Sequence, residues 1–97
     1  LARQVPVMLH GVGLGMASTS PVQPRKVAAM ARLIDKVGPE SWSEHLAFVR
    51  WGDREIGHLA APPRNEDTVE GTLANIERAV RLTGMPAHLE NIATLLL

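Results

Sequence analysis

Three side chains that can hold a metal ion, His10, His45 and Glu90, each close an apolar run: Val-Met-Leu-His-Gly, Ser-Glu-His-Leu and His-Leu-Glu-Asn. Imidazole nitrogens and carboxylate oxygens bind zinc or iron at about 2.0–2.2 Å. Two histidines and one carboxylate with open positions form a recurrent set for non-haem Fe(II) and for catalytic zinc. Local spacing cannot unite them: the two histidines are 35 positions apart, and Glu90 lies 45 beyond His45. Topology can. If each run is a strand and a helix joins each to the next, right-handed crossovers make the strands parallel, and all three ends point the same way. Neighbouring strands lie about 4.8 Å apart, so adjacent strand ends can aim side chains at one ion. That edge is where α/β sheets and barrels bind ligands.

The intervening residues supply the elements this requires. Val5 to Leu9 is short, apolar and branched, and reads as a strand ending near Gly11. Gly11 to Gln23 is a Gly/Ser/Pro loop. Val27, Met30, Ala31, Ile34 and Val37 recur at helical spacing from Pro24, which suits a first turn, and Gly38-Pro39 supplies a stop. Trp42 to Val49 reads as the second strand, and Arg50 to Arg64 as a long loop broken by Gly52, Gly57 and Pro62-Pro63. Loops of that length sit on the active face of α/β folds. Asn65 is a helix cap, with Glu66 and Asp67 favourably placed on the dipole. Val69, Leu73, Ile76 and Val80 form the expected buried stripe of the second helix, ended by Gly84 and Pro86. Ala87 to Ile92 is the third strand. The pattern is β-α-β-α-β, an α/β arrangement expected to be part of a (β/α) barrel.

Alternation along the strands sorts their faces. His10 shares a face with Met8 and Pro6, His45 with Ser43 and Ala47, and Glu90 with His88 and Ile92. In a barrel these point into a packed interior with a chemical mouth, while Leu9, Leu46 and Leu89 face the helices.

Composition narrows the function. Ten basic and ten acidic residues cancel, which argues against electrostatic binding to nucleic acid or to an anionic membrane. One Phe, two Trp and no Tyr make a poor stacking platform for bases. The absence of Cys removes disulfides and thiolate metal sites, and no apolar run is long enough to span a membrane. Leu1 to Ala17 fails as a signal peptide, because Gln4, Pro6, His10 and three glycines interrupt its apolar centre. The chain has 97 residues, starts on Leu1 and stops on Leu95-Leu96-Leu97, and is expected to be a piece of something larger.

Other chemistry-bearing residues have plainer roles. Glu44 is expected to be solvated or to face the helices, His88 to be a hydrogen-bonded core histidine, and His58 to lie on a loop surface. Trp51 either lines a pocket or pins that loop. Asn91 either hydrogen-bonds a metal ligand or caps the backbone. Gly11-Val12-Gly13-Leu14-Gly15-Met16 follows a strand, as a dinucleotide fingerprint does. Its third glycine position falls on Met16, no helix starts at the glycines, and no acidic residue ends the second strand.

His10-Gly11-Val12 with its Gly/Ser loop, Ser43-Glu44-His45-Leu46 and Leu89-Glu90-Asn91-Ile92 together resemble a family of multinuclear iron TIM barrels that includes the iron oxygenase of methanobactin biosynthesis. The loop from His58-Leu59 to Pro62-Pro63 extends the match over nearly the whole chain. The arrangement is more distantly similar to xylose isomerase and endonuclease IV barrels, which implies zinc or manganese as the alternative metal. The first resemblance implies a cytosolic enzyme with two or three iron ions at the barrel mouth. Characterised members use dioxygen to remodel cysteine in a ribosomally made peptide, usually with a partner protein that presents the peptide. It implies that His10 and His45 bind one iron, that Glu90 bridges it to a second, and that Asn91 belongs to the same motif. It also implies that the first strand and the later strands, with their further ligands, lie outside residues 1–97, so the isolated chain is expected to be inactive. The rival of a different class is a non-catalytic module whose open sheet edges pair with another chain; it requires that the three groups do not cluster.

Overall fold

The structure is a computed structural model that describes residues 5–51 and 54–92, except for the side chains of Trp51 and His58. In chain order its elements are β1 (Met8–Gly11), α1 (Pro24–Val37), β2 (Ser41–Leu46), β3 (Phe48–Trp51), β4 (Arg54–Ala60), α2 (Glu66–Thr83) and β5 (Ala87–Asn91). Strands β1, β2 and β5 form a parallel sheet in that order. In its register His10 lies opposite Ser43, and His45 lies opposite Glu90. The fold is therefore an α/β unit with two crossover helices.

The helices begin and end where local chemistry dictates. Pro24 occupies the first turn of α1, and Gly38 closes it in the left-handed conformation, donating its N–H to the Ile34 carbonyl at 2.9 Å. Asn65 caps α2, its Oδ1 accepting the Thr68 N–H at 2.8 Å. Val27, Met30 and Ile34 from α1, Ile76 and Ala79 from α2, and Leu9, Trp42 and Ala87 from the sheet share one core, so both helices cover the same sheet face. Trp42 is wholly buried there and donates Nε1–H to the Met85 carbonyl at 2.8 Å, which leaves its indole with no unsatisfied donor. Full burial of each aliphatic side chain in this core contributes about 1.5–3 kcal/mol.

Several expectations from sequence need correction, beginning with the first strand, which is Met8–Gly11 rather than Val5 to Leu9. The stretch expected to be a loop over Arg50 to Arg64 contains an antiparallel hairpin, β3 with β4, and β2 stops at Leu46 rather than Val49. Gly57, positioned as a breaker, sits inside β4 at φ 79°, and the register shifts between Phe48 and Arg50; the strand absorbs the irregularity as a bulge. The buried line of α2 is Thr68, Asn75 and Ala79, whereas Val69 and Leu73 are exposed. The helix is rotated because it seats the β1–α1 loop, not only the sheet. At Gly71 any side chain would strike the backbone of Ser18 and Thr19, so the loop lies directly on the helix. Finally, the sheet face carrying Met8, His10 and His88 is open; Met8 and His88 are exposed, and His88 is not a core residue. Of the three leucines assigned to the helix side, Leu9 packs on the core, Leu46 is half-buried and Leu89 is exposed.

Candidate metal centre

His10 is the penultimate residue of β1, His45 that of β2, and Glu90 that of β5. Co-directional strands and two-residue alternation carry all three to one face at one edge. His10 Nε2 lies 3.2 Å from His45 Nε2, and His45 Nε2 lies 3.5 Å from Glu90 Oε1. One donor atom from each residue fits within a mutual 4.8 Å. The imidazoles meet edge to face, with centroids 4.6 Å apart and planes at 89°. His45 is the shielded member and Glu90 the open one: their side chains are 14% and 61% exposed.

These separations suit a shared cation. Two nitrogens each about 2.1 Å from one ion, subtending between a right angle and a tetrahedral angle, lie about 3.0–3.4 Å apart. The donor set is also chemically apt: nitrogen and carboxylate oxygen suit zinc and iron alike. Without a cation, a proton must lie between the two facing imidazole nitrogens. His45 Nδ1 is buried with no hydrogen-bond partner among the described residues, so a cation on Nε2 would leave the Nδ1–H unpaired there.

Ser43 and Glu44 complete the environment. Ser43 Oγ lies 2.7 Å from His10 Nδ1, the direct result of their pairing in the register. Glu44 points to the opposite face and is buried at 1% exposure. Its Oε1 accepts the backbone N–H of His45 at 3.0 Å, so the carboxylate fixes the backbone of the neighbouring cluster residue. Its Oε2 has no hydrogen-bond partner among the described residues and lies where a Gly11 side chain would begin. Burial pushes the Glu44 carboxyl above the ordinary carboxylate range. The backbone N–H groups of His45 and Leu14 and the two imidazoles oppose that rise without cancelling it, the Leu14 N–H without completing a hydrogen bond. Gly11 is thus a glycine because Glu44 fills its side-chain space, not because a pyrophosphate approaches it.

The loop after His10 is held by side chains reading its carbonyls. The wholly buried Asn75 donates from Nδ2 to Met16, Ser18 and Ser20 at 3.1–3.3 Å and accepts the Val22 N–H at 2.9 Å. Arg50, also buried, donates to Leu14 at 3.2 Å and Pro21 at 2.6 Å. Lys26 reaches Gly13 and forms an ion pair with Glu55 on the hairpin. Sequence reading placed Ser43 on the His45 face but gave it no role, and gave none to Asn75 or Arg50. The signal for Ser43 was its place on the His45 face; for the other two there was none without the tertiary contacts.

Asn91 follows Glu90 and so turns to the helix side, where it lines an open cleft with Leu46, Thr68 and Val69. The side chains of Trp51 and His58 lie outside the described residues. No helix among the described residues is long and apolar enough to cross a membrane.

Fold and site thus define a class: a parallel α/β unit with a nitrogen-and-carboxylate cluster at the C-terminal edge of its sheet. Within that class the chain belongs to the family of RiPP precursor modification enzymes MbnB/TglH/ChrH, whose family model matches residues 1–97. Among its relatives are UPF0276 proteins of Streptomyces avermitilis, 34% identical over 98% of this chain, and of Anaeromyxobacter sp., 33% identical over 95%. A UPF0276 protein of Chromobacterium violaceum is 34% identical over 92%. The chain spans 21% of the length of the first relative and 32% of each of the others.

Proposed function

We propose that His10, His45 and Glu90 hold iron, and that the protein containing them oxidatively modifies cysteine in a ribosomally made peptide. The observation that carries the metal reading is the placement of three donor atoms within 4.8 Å on three adjacent parallel strands. Membership in a family of RiPP precursor modification enzymes supplies the substrate class, a peptide. Iron, when bound, supplies Lewis acidity and electrons for dioxygen chemistry.

The chain's own residues have distinct parts in this reading. His10 and His45 supply neutral nitrogen donors. Glu90 supplies a carboxylate with two oxygens, able to span two cations, on the solvent-exposed side of the cluster. That exposed side leaves room for substrate and for further donors. The segment acts as part of a longer (β/α) barrel, in which later strands contribute the remaining ligands and a partner protein presents the peptide. Alone, the 97 residues bind iron weakly and do not turn over.

Elemental analysis combined with mass spectrometry tests this. A longer protein containing this segment, purified from iron-replete cells, retains iron and changes the mass of a cysteine-containing precursor peptide in a dioxygen-dependent reaction. His10→Ala and His45→Ala lose both properties. Zinc or manganese in place of iron moves the assignment to a hydrolytic or isomerase-type barrel. Iron retained undiminished in both variants removes these residues from the site.

A further inference from the structure

We propose that Ser43 is a positioning residue: its hydroxyl oxygen accepts a hydrogen bond from His10 Nδ1–H and thereby leaves the His10 Nε2 lone pair facing His45 and Glu90 before any cation arrives. The inference rests on the metal reading above for its purpose, but not for its test.

The argument is a proton count. A neutral imidazole carries one N–H and one lone pair, and the hydrogen bond at one nitrogen decides what the other offers. His10 has one contact at each nitrogen: Ser43 Oγ at 2.7 Å from Nδ1, and His45 Nε2 at 3.2 Å from Nε2. Two arrangements satisfy both. In one, the Ser43 hydroxyl donates to Nδ1, and His10 Nε2–H donates to His45 Nε2. The His45 proton must then sit on Nδ1, which is buried and has no acceptor among the described residues. In the other, His10 Nδ1–H donates to Ser43 Oγ. His45 Nε2–H then donates to His10 Nε2 or turns toward Glu90 Oε1, 3.5 Å away, and His45 Nδ1 keeps a bare lone pair.

The two differ in what they orphan. A buried N–H without an acceptor is rare in folded proteins; an unfilled acceptor is better tolerated. The second arrangement therefore prevails, and Ser43 is the acceptor in it. Geometry makes the choice robust. Ser43 lies directly opposite His10 in the parallel register, so its Oγ is presented by paired backbone rather than by a mobile loop. Ligating histidines commonly donate their second N–H to such a group, which fixes both the tautomer and the ring orientation. Here the partner comes from the same Ser-Glu-His run that supplies His45, so β2 provides one donor to the cluster and aims another.

Two-bond ¹H–¹⁵N correlation spectra of the uniformly labelled, cation-free chain at about pH 8, where imidazoles are neutral, read the tautomer directly. His10 is expected to carry its proton on Nδ1. In Ser43→Ala it shifts toward the Nε2–H form that free histidine favours in water, and Ser43→Thr restores the Nδ1–H form. His10 protonated on Nε2 in the wild type, or an unchanged tautomer in Ser43→Ala with native amide shifts elsewhere, overturns the assignment. Titration with Co²⁺, followed by its visible absorption, provides the second readout. Ser43→Ala is expected to weaken binding about 10–100-fold, with recovery in Ser43→Thr. Wild-type chain that shows the expected tautomer but no Co²⁺ spectrum at any concentration supports the role of Ser43 and overturns the metal reading instead.

Discussion

Asn75→Ala removes the α2 side chain that hydrogen-bonds the β1–α1 loop, and its cost can be worked out from the contacts. The substitution strips the buried Val22 N–H of its acceptor and takes a donor from the carbonyls of Met16, Ser18 and Ser20. An orphaned buried N–H costs about 1–3 kcal/mol, and each carbonyl that loses a shared donor adds a fraction of that. The expected loss is about 3–5 kcal/mol, a large part of the about 5–15 kcal/mol available to a domain. Asn75→Asp separates hydrogen bonding from simple space filling. It keeps the shape and the acceptor for Val22 and for Arg78 Nη1, 3.2 Å away, but it turns a carboxylate oxygen onto three carbonyls at a wholly buried position. It is therefore expected to destabilise at least as much as alanine. Urea unfolding, followed through the fluorescence of buried Trp42, gives both values, provided the slopes match. An Asn75→Asp protein within about 1 kcal/mol of wild type would refute the reasoning, because volume alone would then explain the residue.

Two further perturbations address Glu44. Its folded-state pKa lies above the ordinary 4.5, so the folded state binds the extra proton in the window above that value. Stability contributed by this group is therefore fully present below 4.5 and is lost as pH rises through the folded-state pKa. Glu44→Gln is expected to remove that decline, read as the difference in urea midpoint between the two proteins across the acid range; parallel profiles count against it. Gly11→Ala drives a methyl group onto Glu44 Oε2 and against Met30 Cε, an overpacking that costs about 1–3 kcal/mol. The same change in a Glu44→Ala background should cost much less, and equal penalties in the two backgrounds would show that the two positions are uncoupled.

How far the sequence could be read follows from which forces are local. The bounds of helix α1 were legible, because Pro24 and the 3.6-residue apolar rhythm lie within it and Gly38 directly follows its last residue. The hairpin was not. Gly57 looks like a breaker when counted, but pairing between Phe48 and Ala60 and between Arg50 and Glu55 outweighs it, whereas Pro62-Pro63 do lie beyond the end of β4. The face of α2 was misjudged for a similar reason: hydropathy favours Val69 and Leu73, while the buried face is chosen by loop carbonyls that need the Asn75 amide and by a backbone approach that only Gly71 allows. Polar groups that bury themselves to satisfy other polar groups leave no periodic trace.

The convergence of His10, His45 and Glu90 was legible because it needs only strand direction and odd–even counting. What counting cannot supply is register. Had β1 paired so that His10 faced His45 across the sheet, the imidazoles would have stood side by side, with no group placed at Nδ1 of His10. Instead β1 is offset by two residues, which puts His10 opposite Ser43 and leaves His45 opposite Glu90. Two residues along a strand is about 6.6 Å, one layer on the same face, and an imidazole is long enough to bridge it. The offset therefore divides the two nitrogens of His10: Nδ1 stays beside Ser43 while Nε2 reaches up to His45. A one-residue slip would turn His10 to the helix side and destroy the cluster; the two-residue offset keeps its face and adds a hydrogen-bond partner.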